Sequence, residues 1–189
     1  DALYQWLVSQ AALDVAGAPA QVDRLVTEGE IVCIIGGGGK SGILCCYQAM
    51  KNVGQYGKVI VVEYSPVNAQ RIKDMGLATD VIVADATNVM DVYHKVMAIT
   101  GGRGCDVTIN NVNVPSTEMT SILVTKGRGC VYFFSMATSF TKAALGAEGV
   151  GKDINLIVGN GFAKGHADLT LDIIRESKDI RELFEKLYV

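Results

Sequence analysis

Short apolar runs alternate with helix-like stretches along most of the chain. The apolar runs, rich in valine and isoleucine, predict strands at residues 31–35, 58–63, 81–84, 106–110, 130–135 and 154–158. Apolar spacings of three and four residues predict helices at 41–52, 66–75, 88–99, 116–125, 164–176 and 180–187. Continuous apolar strands separated by helices are typical of a parallel sheet that is covered on both faces. We therefore expect an α/β fold, a Rossmann-type doubly wound parallel sheet of about six strands with helices on both faces.

This pattern is least regular at its beginning and before the sixth strand. A leading helix is predicted by the helical spacing of Leu3, Leu7, Val8, Ala11 and Val15, and Gly17-Ala18-Pro19 should end it. Residues 138–152 predict a long loop with room for one helical turn. Because the chain opens at Asp1 inside the leading helix, we expect the true N-terminus to lie upstream. We assign residues 1–20 to a leading helix and linker from a missing N-terminal catalytic domain, and residues 21–189 to a dinucleotide-binding domain.

A glycine-rich turn after the first predicted strand carries the main chemical information. Gly37, Gly39 and Gly42 fit the pattern GxGxxG between a strand and a helix, which is typical of dinucleotide-binding folds. Peptide groups without a Cβ can approach a diphosphate closely, and the following helix offers unpaired N–H groups and the positive end of its dipole. Lys40 and Ser41 are candidates for further phosphate or ribose contacts. A Walker phosphate loop does not match, because Ile34 stands where its first glycine is required.

Polar residues at the ends of the later strands extend this candidate site. Glu63 ends the second predicted strand, where a carboxylate can bind the adenosine ribose and repel a 2′-phosphate, so NAD is favoured with NADP as the alternative. Asp85 is a candidate for the adenine amino group. The full set of candidate cofactor-binding residues is Gly37, Gly38, Gly39, Lys40, Ser41, Gly42, Glu63, Tyr64, Asp85, Ala86, Asn110, Asn111, Val112 and Ser135. Plainer interpretations of the polar members are solvated strand ends, helix caps and turn residues.

Composition and charge narrow the function classes. The net charge of −3 and the pI near 5.4, without a basic run, argue against a nucleic-acid partner. The five cysteines lack paired spacing, which indicates reduced, buried thiols in a cytoplasmic protein. We expect no membrane partner, because the sequence has no signal peptide and no apolar stretch of about 18 residues. No metal site is expected, since neither the cysteines nor His94 and His166 have zinc-ligand spacing.

Several segments resemble one family of enzymes. Residues 36–42, 111–118, 132–140, 144–152 and 159–166 resemble the L-erythro-3,5-diaminohexanoate dehydrogenases, which are similar to the medium-chain dehydrogenases. The resemblance implies that this chain is the C-terminal, cofactor-binding portion of an NAD(P)-dependent enzyme of lysine fermentation, whose substrate is a small diamino acid. Oxidation at C3 would give an imine, and water would release 5-amino-3-oxohexanoate and ammonia. The protein would have to orient C3 against the nicotinamide and manage the protons.

That reaction calls for particular side chains. Deprotonation of an ammonium requires a general base, and the remaining ammonium favours a carboxylate partner. Glu118 is the candidate, although an acid that favours the first turn of a helix is the plainer interpretation. Ser135, Thr138 and Lys142 are expected to line the nicotinamide side without assigned roles.

Two other function classes stay open. An S-adenosylmethionine-dependent methyltransferase also uses a glycine-rich first turn with acidic residues after strands two and three, but the first strand here lacks an acidic residue before the glycines. A non-catalytic NAD-sensing domain is the second alternative. Whatever the function, we expect the apolar strand at residues 154–158 to lie at the sheet edge, where a homodimer would cover it.

Overall fold

The computed structural model describes residues 2–159 and 162–189, which fold around one parallel sheet. The strands are β1 (Ile31–Ile35), β2 (Lys58–Glu63), β3 (Asp80–Val83), β4 (Cys105–Asn110), β5 (Thr125–Phe133) and β6 (Asn155–Val158). They lie in the order β3-β2-β1-β4-β5-β6, and every pairing is parallel. This is the strand order of the doubly wound dinucleotide-binding fold, so the predicted fold class is confirmed.

Helices cover both faces of the sheet. They are α1 (Ala2–Leu13), α2 (Gly17–Leu25), α3 (Lys40–Val53), α4 (Pro66–Asp74), α5 (Val89–Thr100), α6 (Glu118–Val124), α7 (Phe140–Gly149), α8 (His166–Glu176) and α9 (Lys178–Tyr188). Alternate residues of β1 enter two different cores, because successive side chains of a strand point to opposite faces. Val32 and Ile34 pack with α3, α8 and α9, whereas Cys33 and Ile35 pack with α5.

The beginning of the chain differs from the prediction. Gly17-Ala18-Pro19 was expected to end a helix, but α2 begins at Gly17 and carries Pro19 in its first turn. Proline is tolerated there because the first N–H groups of a helix have no intrahelical partner. The preceding helix, α1, packs against α8 and α9 and buries Val8 and Ala12 in the larger core.

Two later boundaries also differ. The loop predicted at 138–152 contains the ten-residue helix α7, and Ser139 caps it by accepting a hydrogen bond from the Lys142 N–H. Ala143 is the buried residue of α7, so the helix has no apolar stripe that the sequence pattern could show. Strand β5 begins at Thr125 rather than near residue 130, and its charged and glycine-rich start includes Arg128 in a left-handed conformation (φ 63°).

Candidate functional site

The glycine-rich turn joins β1 to α3 at the carboxyl edge of the sheet. Gly36 has a φ of +81°, and a Cβ on Gly42 would lie 2.1 Å from the Gly36 carbonyl oxygen, so α3 can begin this close to the turn only with glycine at 42. Gly39, the N-cap of α3, is different, because a Cβ there would meet no protein atom within 4 Å. The turn is therefore tightly packed below and open above the helix N-terminus, where an anion binds favourably.

Glu63 lies beside this turn, as predicted from its position at the end of β2. Its carboxylate is buried, with Oε2 accepting a hydrogen bond from the Gly38 N–H (2.8 Å) and Oε1 from the Ser65 N–H (3.0 Å). Asn68, in the first turn of α4, is packed against the same peptide, since a Cβ on Gly38 would lie 2.5 Å from the Asn68 Cβ. Asn68 could not be predicted as a site residue, because nothing in its local pattern distinguishes it from an ordinary helix residue.

A cleft of about 460 Å³ opens at the carboxyl ends of β2, β3 and β4. Five predicted cofactor-binding residues line it together, namely Glu63, Tyr64, Asp85, Ala86 and Val112. Asp85 Oδ1 accepts hydrogen bonds from the Thr87 N–H (2.8 Å) and hydroxyl (2.7 Å), and these bonds lower the pKa of Asp85. Thr117 also lines the cleft and was not predicted. The cleft thus combines apolar lining residues with the carboxylates of Glu63 and Asp85.

The two asparagines after β4 have different surroundings. Asn110 is fully buried, where its Nδ2 donates to the hydroxyls of Thr117 and Ser121 (2.9 Å each) and its Oδ1 accepts from the Val112 N–H (3.1 Å). This side chain therefore holds the β4–α6 connection in place. Asn111 Oδ1 accepts a long hydrogen bond from Cys45 Sγ (3.8 Å), whereas its buried Nδ2 has no partner within residues 2–159 and 162–189.

Glu118, the predicted general base, begins α6. Its side chain is only 2% exposed, and Oε1 accepts a hydrogen bond from the Ser139 N–H (2.7 Å) at the start of α7. Nearby, Lys142 Nζ bonds to Ser116 Oγ (2.9 Å). Ser135, which follows β5, accepts a hydrogen bond at its Oγ from the Ala137 N–H (3.1 Å). Two side-chain bonds therefore tie the connection after β4 to the connection after β5, and the role of Glu118 as a base stays a prediction.

Lys40 and Ser41 occupy the first two positions of α3. Ser41 is buried, whereas the Lys40 ammonium forms an ion pair with Asp14 (Nζ to Oδ2, 3.0 Å) and lies 5.4 Å from the centre of the Tyr188 ring. Asp14 follows α1, so its proximity to the glycine-rich turn depends on how the leading helices pack. This contact could not be predicted from the sequence, because the two residues are 26 positions apart and share no motif.

The described residues add three further findings. No group of three or more His, Cys, Asp or Glu side chains in ranges 2–159 and 162–189 is arranged to hold a metal ion. Within the same ranges, no helix has the length and apolar character needed to cross a membrane. Burial raises the pKa of the Cys45 thiol to about 12, although its bond to Asn111 lowers it in part, so this thiol is neutral near the site.

Comparison with known proteins gives a family match and two similar sequences. The sequence pattern described as zinc-binding dehydrogenase matches residues 43–159. Proteins named L-erythro-3,5-diaminohexanoate dehydrogenase from Acetoanaerobium sticklandii and Fusobacterium nucleatum are 53% and 52% identical over 179 residues. Each match covers 95% of this chain and 52% of the relative, so the chain spans about half the length of the curated relatives that it matches. The resemblance predicted from the sequence is confirmed.

Solved structures agree with the fold. AibC superposes with a TM-score of 0.73 at 20% identity, covering 88% of this chain and 48% of AibC. A mycobacterial protein solved in complex with NADPH gives a TM-score of 0.69 at 18% identity, covering 91% of this chain and 59% of the other. These identities are low, so the two structures support the fold alone.

Proposed function

This chain belongs to the zinc-binding dehydrogenase family, and we propose that it is the dinucleotide-binding part of a dehydrogenase that oxidises L-erythro-3,5-diaminohexanoate. The observation that carries the proposal is the glycine-rich turn, which is open over Gly39 and flanked by the fixed carboxylate of Glu63. A nicotinamide dinucleotide, when bound, supplies the hydride acceptor, and the chain supplies binding and orientation. In this proposal residues 1–20 lead from an upstream catalytic domain.

The residues present fit the adenosine half of such a cofactor. The N–H groups at the start of α3 have no capping side chain. The diphosphate would lie beside Gly38 and Gly39 and accept hydrogen bonds from these N–H groups in place of a cap. Glu63 would accept hydrogen bonds from the ribose hydroxyls, with Tyr64, Asp85 and the rest of the cleft lining around the adenine. The protein solved with NADPH has a similar fold, so the fold does not select the cofactor. We propose NAD because a 2′-phosphate would lie next to the buried Glu63 carboxylate.

The fit extends to the other half of the site. The orphaned, buried Asn111 Nδ2 is a hydrogen-bond donor at the end of β4, and a bound acceptor would remove the cost of leaving it unpaired. Asn110 and Glu118 hold the connections after β4 and β5 in fixed positions, which limits movement where the reacting carbon must be oriented. Although the family name mentions zinc, we assign no residue within 2–159 or 162–189 to a metal.

The names of the relatives support the reaction that we propose for the longer protein, an oxidation of the diamino acid at C3. Removal of a hydride from C3 and a proton from its nitrogen leaves a carbon–nitrogen double bond. Water then adds to that carbon, and ammonia leaves, giving 5-amino-3-oxohexanoate. A second ammonium, on C5, is unchanged and needs a carboxylate partner or water throughout.

The test uses the longer protein, of the length of the curated relatives. NADH formation from L-erythro-3,5-diaminohexanoate is the expected result, with NAD⁺ preferred over NADP⁺. Glu63→Gln removes one negative charge and should weaken NAD⁺ binding by about tenfold, because a charge-assisted hydrogen bond is lost. The same change should reduce the preference for NAD⁺ over NADP⁺, because the carboxylate no longer repels a 2′-phosphate. Glu28→Gln, an exposed residue before β1, is the matched control and should change neither. Thermal stabilisation by S-adenosylmethionine rather than NAD⁺ would contradict the proposal.

We also propose that the longer protein is a cytoplasmic homodimer. Strand β6 lies at the sheet edge, with its other side paired to β5, and Val158 is 40% exposed. Unpaired backbone groups on an apolar edge favour pairing with a second copy across a two-fold axis. All five cysteines are free thiols, which supports a reducing compartment. Sedimentation equilibrium at micromolar concentration should give twice the chain mass, and a monomer would refute the dimer.

A further inference from the structure

The ion pair between Lys40 and Asp14 joins the glycine-rich turn to the end of α1. Lys40 is the first residue of α3 and its side chain is 30% exposed, whereas the Asp14 side chain is 67% exposed. The lysine is thus partly enclosed, with the Tyr188 ring on another side. Its ammonium stands next to the helix N-terminus at which the proposed diphosphate would bind, while one face of the Asp14 carboxylate is open to solvent.

The position of Asp14 can be fixed from its neighbours. The turn after α1 is held to α8 by a hydrogen bond from the Thr170 hydroxyl to the Ala16 carbonyl (3.4 Å). Both α3 and α8 follow parallel strands, so both begin at the carboxyl edge of the sheet. Asp14 therefore lies at this edge between two helix N-termini, on the face opposite to the helices α5 and α6. It is separate from the cleft that Glu63 and Asp85 line.

Three other carboxylates near this edge, those of Glu63, Glu118 and Asp85, already accept hydrogen bonds. Glu63 accepts two backbone hydrogen bonds, and Glu118 is buried with the Ser139 N–H. Asp85 is bonded to Thr87 inside the adenosine-side cleft. Asp14 differs because its partner in the fold is a partly exposed lysine side chain rather than the backbone. An exposed ion pair of this kind contributes little stability and can exchange partners readily.

We propose that cofactor binding releases Asp14 to receive an ammonium group of the substrate. The diphosphate carries two negative charges, and its arrival at the start of α3 draws the Lys40 ammonium away from the single charge of Asp14. The freed carboxylate then pairs with an ammonium of a diamino acid, so each ligand binds more tightly when the other is present. This inference rests on the proposed function and adds to it a substrate-binding residue and a coupling between cofactor and substrate binding.

Such an exchange is a coupling between two binding sites, and coupling is reciprocal. The diamino acid should bind at least about 5-fold more tightly when the diphosphate site is filled, and the diphosphate ligand should gain by the same factor. Lys40→Met removes the competitor of the substrate ammonium, so the affinity for the diamino acid should be high without any cofactor. Asp14→Asn should instead weaken diamino acid binding while leaving Lys40 free for the phosphates.

The test is calorimetric titration of the longer protein with L-erythro-3,5-diaminohexanoate, with and without saturating ADP-ribose. ADP-ribose contains the diphosphate and lacks the nicotinamide, so binding is measured without turnover. In the unchanged protein ADP-ribose should tighten diamino acid binding by at least about 5-fold. In Asp14→Asn the affinity should fall by about tenfold and become independent of ADP-ribose, while ADP-ribose binds at least as tightly as before. Melting temperatures verify that each variant is folded.

Asp168→Asn is the matched control, because Asp168 is also exposed and lies in the first turn of α8. It should keep the full dependence on ADP-ribose. If Asp14→Asn retains both the affinity and the dependence, the inference is overturned, although dehydrogenase activity would still support the proposed function. Failure of the unchanged protein to bind ADP-ribose would overturn the inference and the proposed function together.

Discussion

Two glycines of the same turn should separate stability from cofactor binding. Gly42 and Gly39 are three residues apart, yet a Cβ would meet a carbonyl oxygen at 2.1 Å on Gly42 and no atom within 4 Å on Gly39. Replacement by alanine adds the same methyl group in both cases. Gly42→Ala should therefore damage the fold, whereas Gly39→Ala should leave the fold intact and obstruct the space that we assign to the diphosphate.

The expected magnitudes follow from these distances. Overpacking against backbone typically costs about 1–3 kcal/mol, and the contact at Gly42 belongs at the upper end, about 3 kcal/mol. For a chain of this size that lowers the melting temperature by about 6–12 °C. At Gly39, replacement by alanine removes a favourable N-cap residue, which destabilises the fold, and lowers the entropy of the unfolded chain, which stabilises it. Each effect is below about 1 kcal/mol, and the two have opposite signs. The free energy of unfolding should therefore stay within about 0.5 kcal/mol of the original.

Cofactor affinity should show the opposite order. A methyl group over the N-cap of α3 forces the diphosphate away from at least one charge-assisted hydrogen bond, worth about 1.5–3 kcal/mol. Gly39→Ala should thus weaken NAD⁺ binding by about 10-fold to 100-fold. Thermal unfolding and calorimetric titration with NAD⁺ measure both quantities on the same samples. Binding of NAD⁺ by Gly39→Ala with unchanged affinity would refute the placement of the diphosphate, and equal destabilisation of both variants would refute the packing argument.

Two predictions concern groups at the opposite edge of the sheet and near α6. The buried carboxylate of Asp106 forms ion pairs with Lys126 and Arg103. Burial raises the pKa of Asp106, but the hydrogen bonds from Lys126 and the Ile31 N–H lower it by more, so the pKa lies below its ordinary value of 3.8. In acid the unfolded chain therefore binds more protons than the folded chain, so the free energy of unfolding falls as the pH drops through and below about 3.8. The variant Asp106→Asn should lose less of its free energy of unfolding over the same acid titration, because it has no carboxylate to protonate at this position. Lys152 Nζ donates hydrogen bonds to the Ile122, Leu123 and Thr125 carbonyls at the end of α6. Lys152→Met should therefore lower the free energy of unfolding in urea by about 1–3 kcal/mol. An unchanged urea midpoint would contradict this role.

The parts of the fold that the sequence predicted share a simple cause. Strands β1 and β2 are buried on both faces, so each appears as a continuous apolar run whatever its neighbours are. The sequence pattern did not predict helix α7 or the start of β5, because α7 buries one alanine and the start of β5 is charged and glycine-rich. A periodic apolar pattern arises from side chains that are buried on one face, and these two segments bury few apolar side chains.

The candidate site divides in the same way. The sequence by itself determined the GxGxxG turn, the acidic end of β2 and five of the residues that line the cleft, because each lies at or just after a strand end and parallel strands bring their carboxyl ends to one edge. Only the tertiary structure decided which partner each polar group takes. Lys40 meets Asp14, Asn68 packs on Gly38, and Glu118 holds Ser139 because separate helices dock there. Hydrogen bonds between distant segments depend on that docking, which no local pattern encodes.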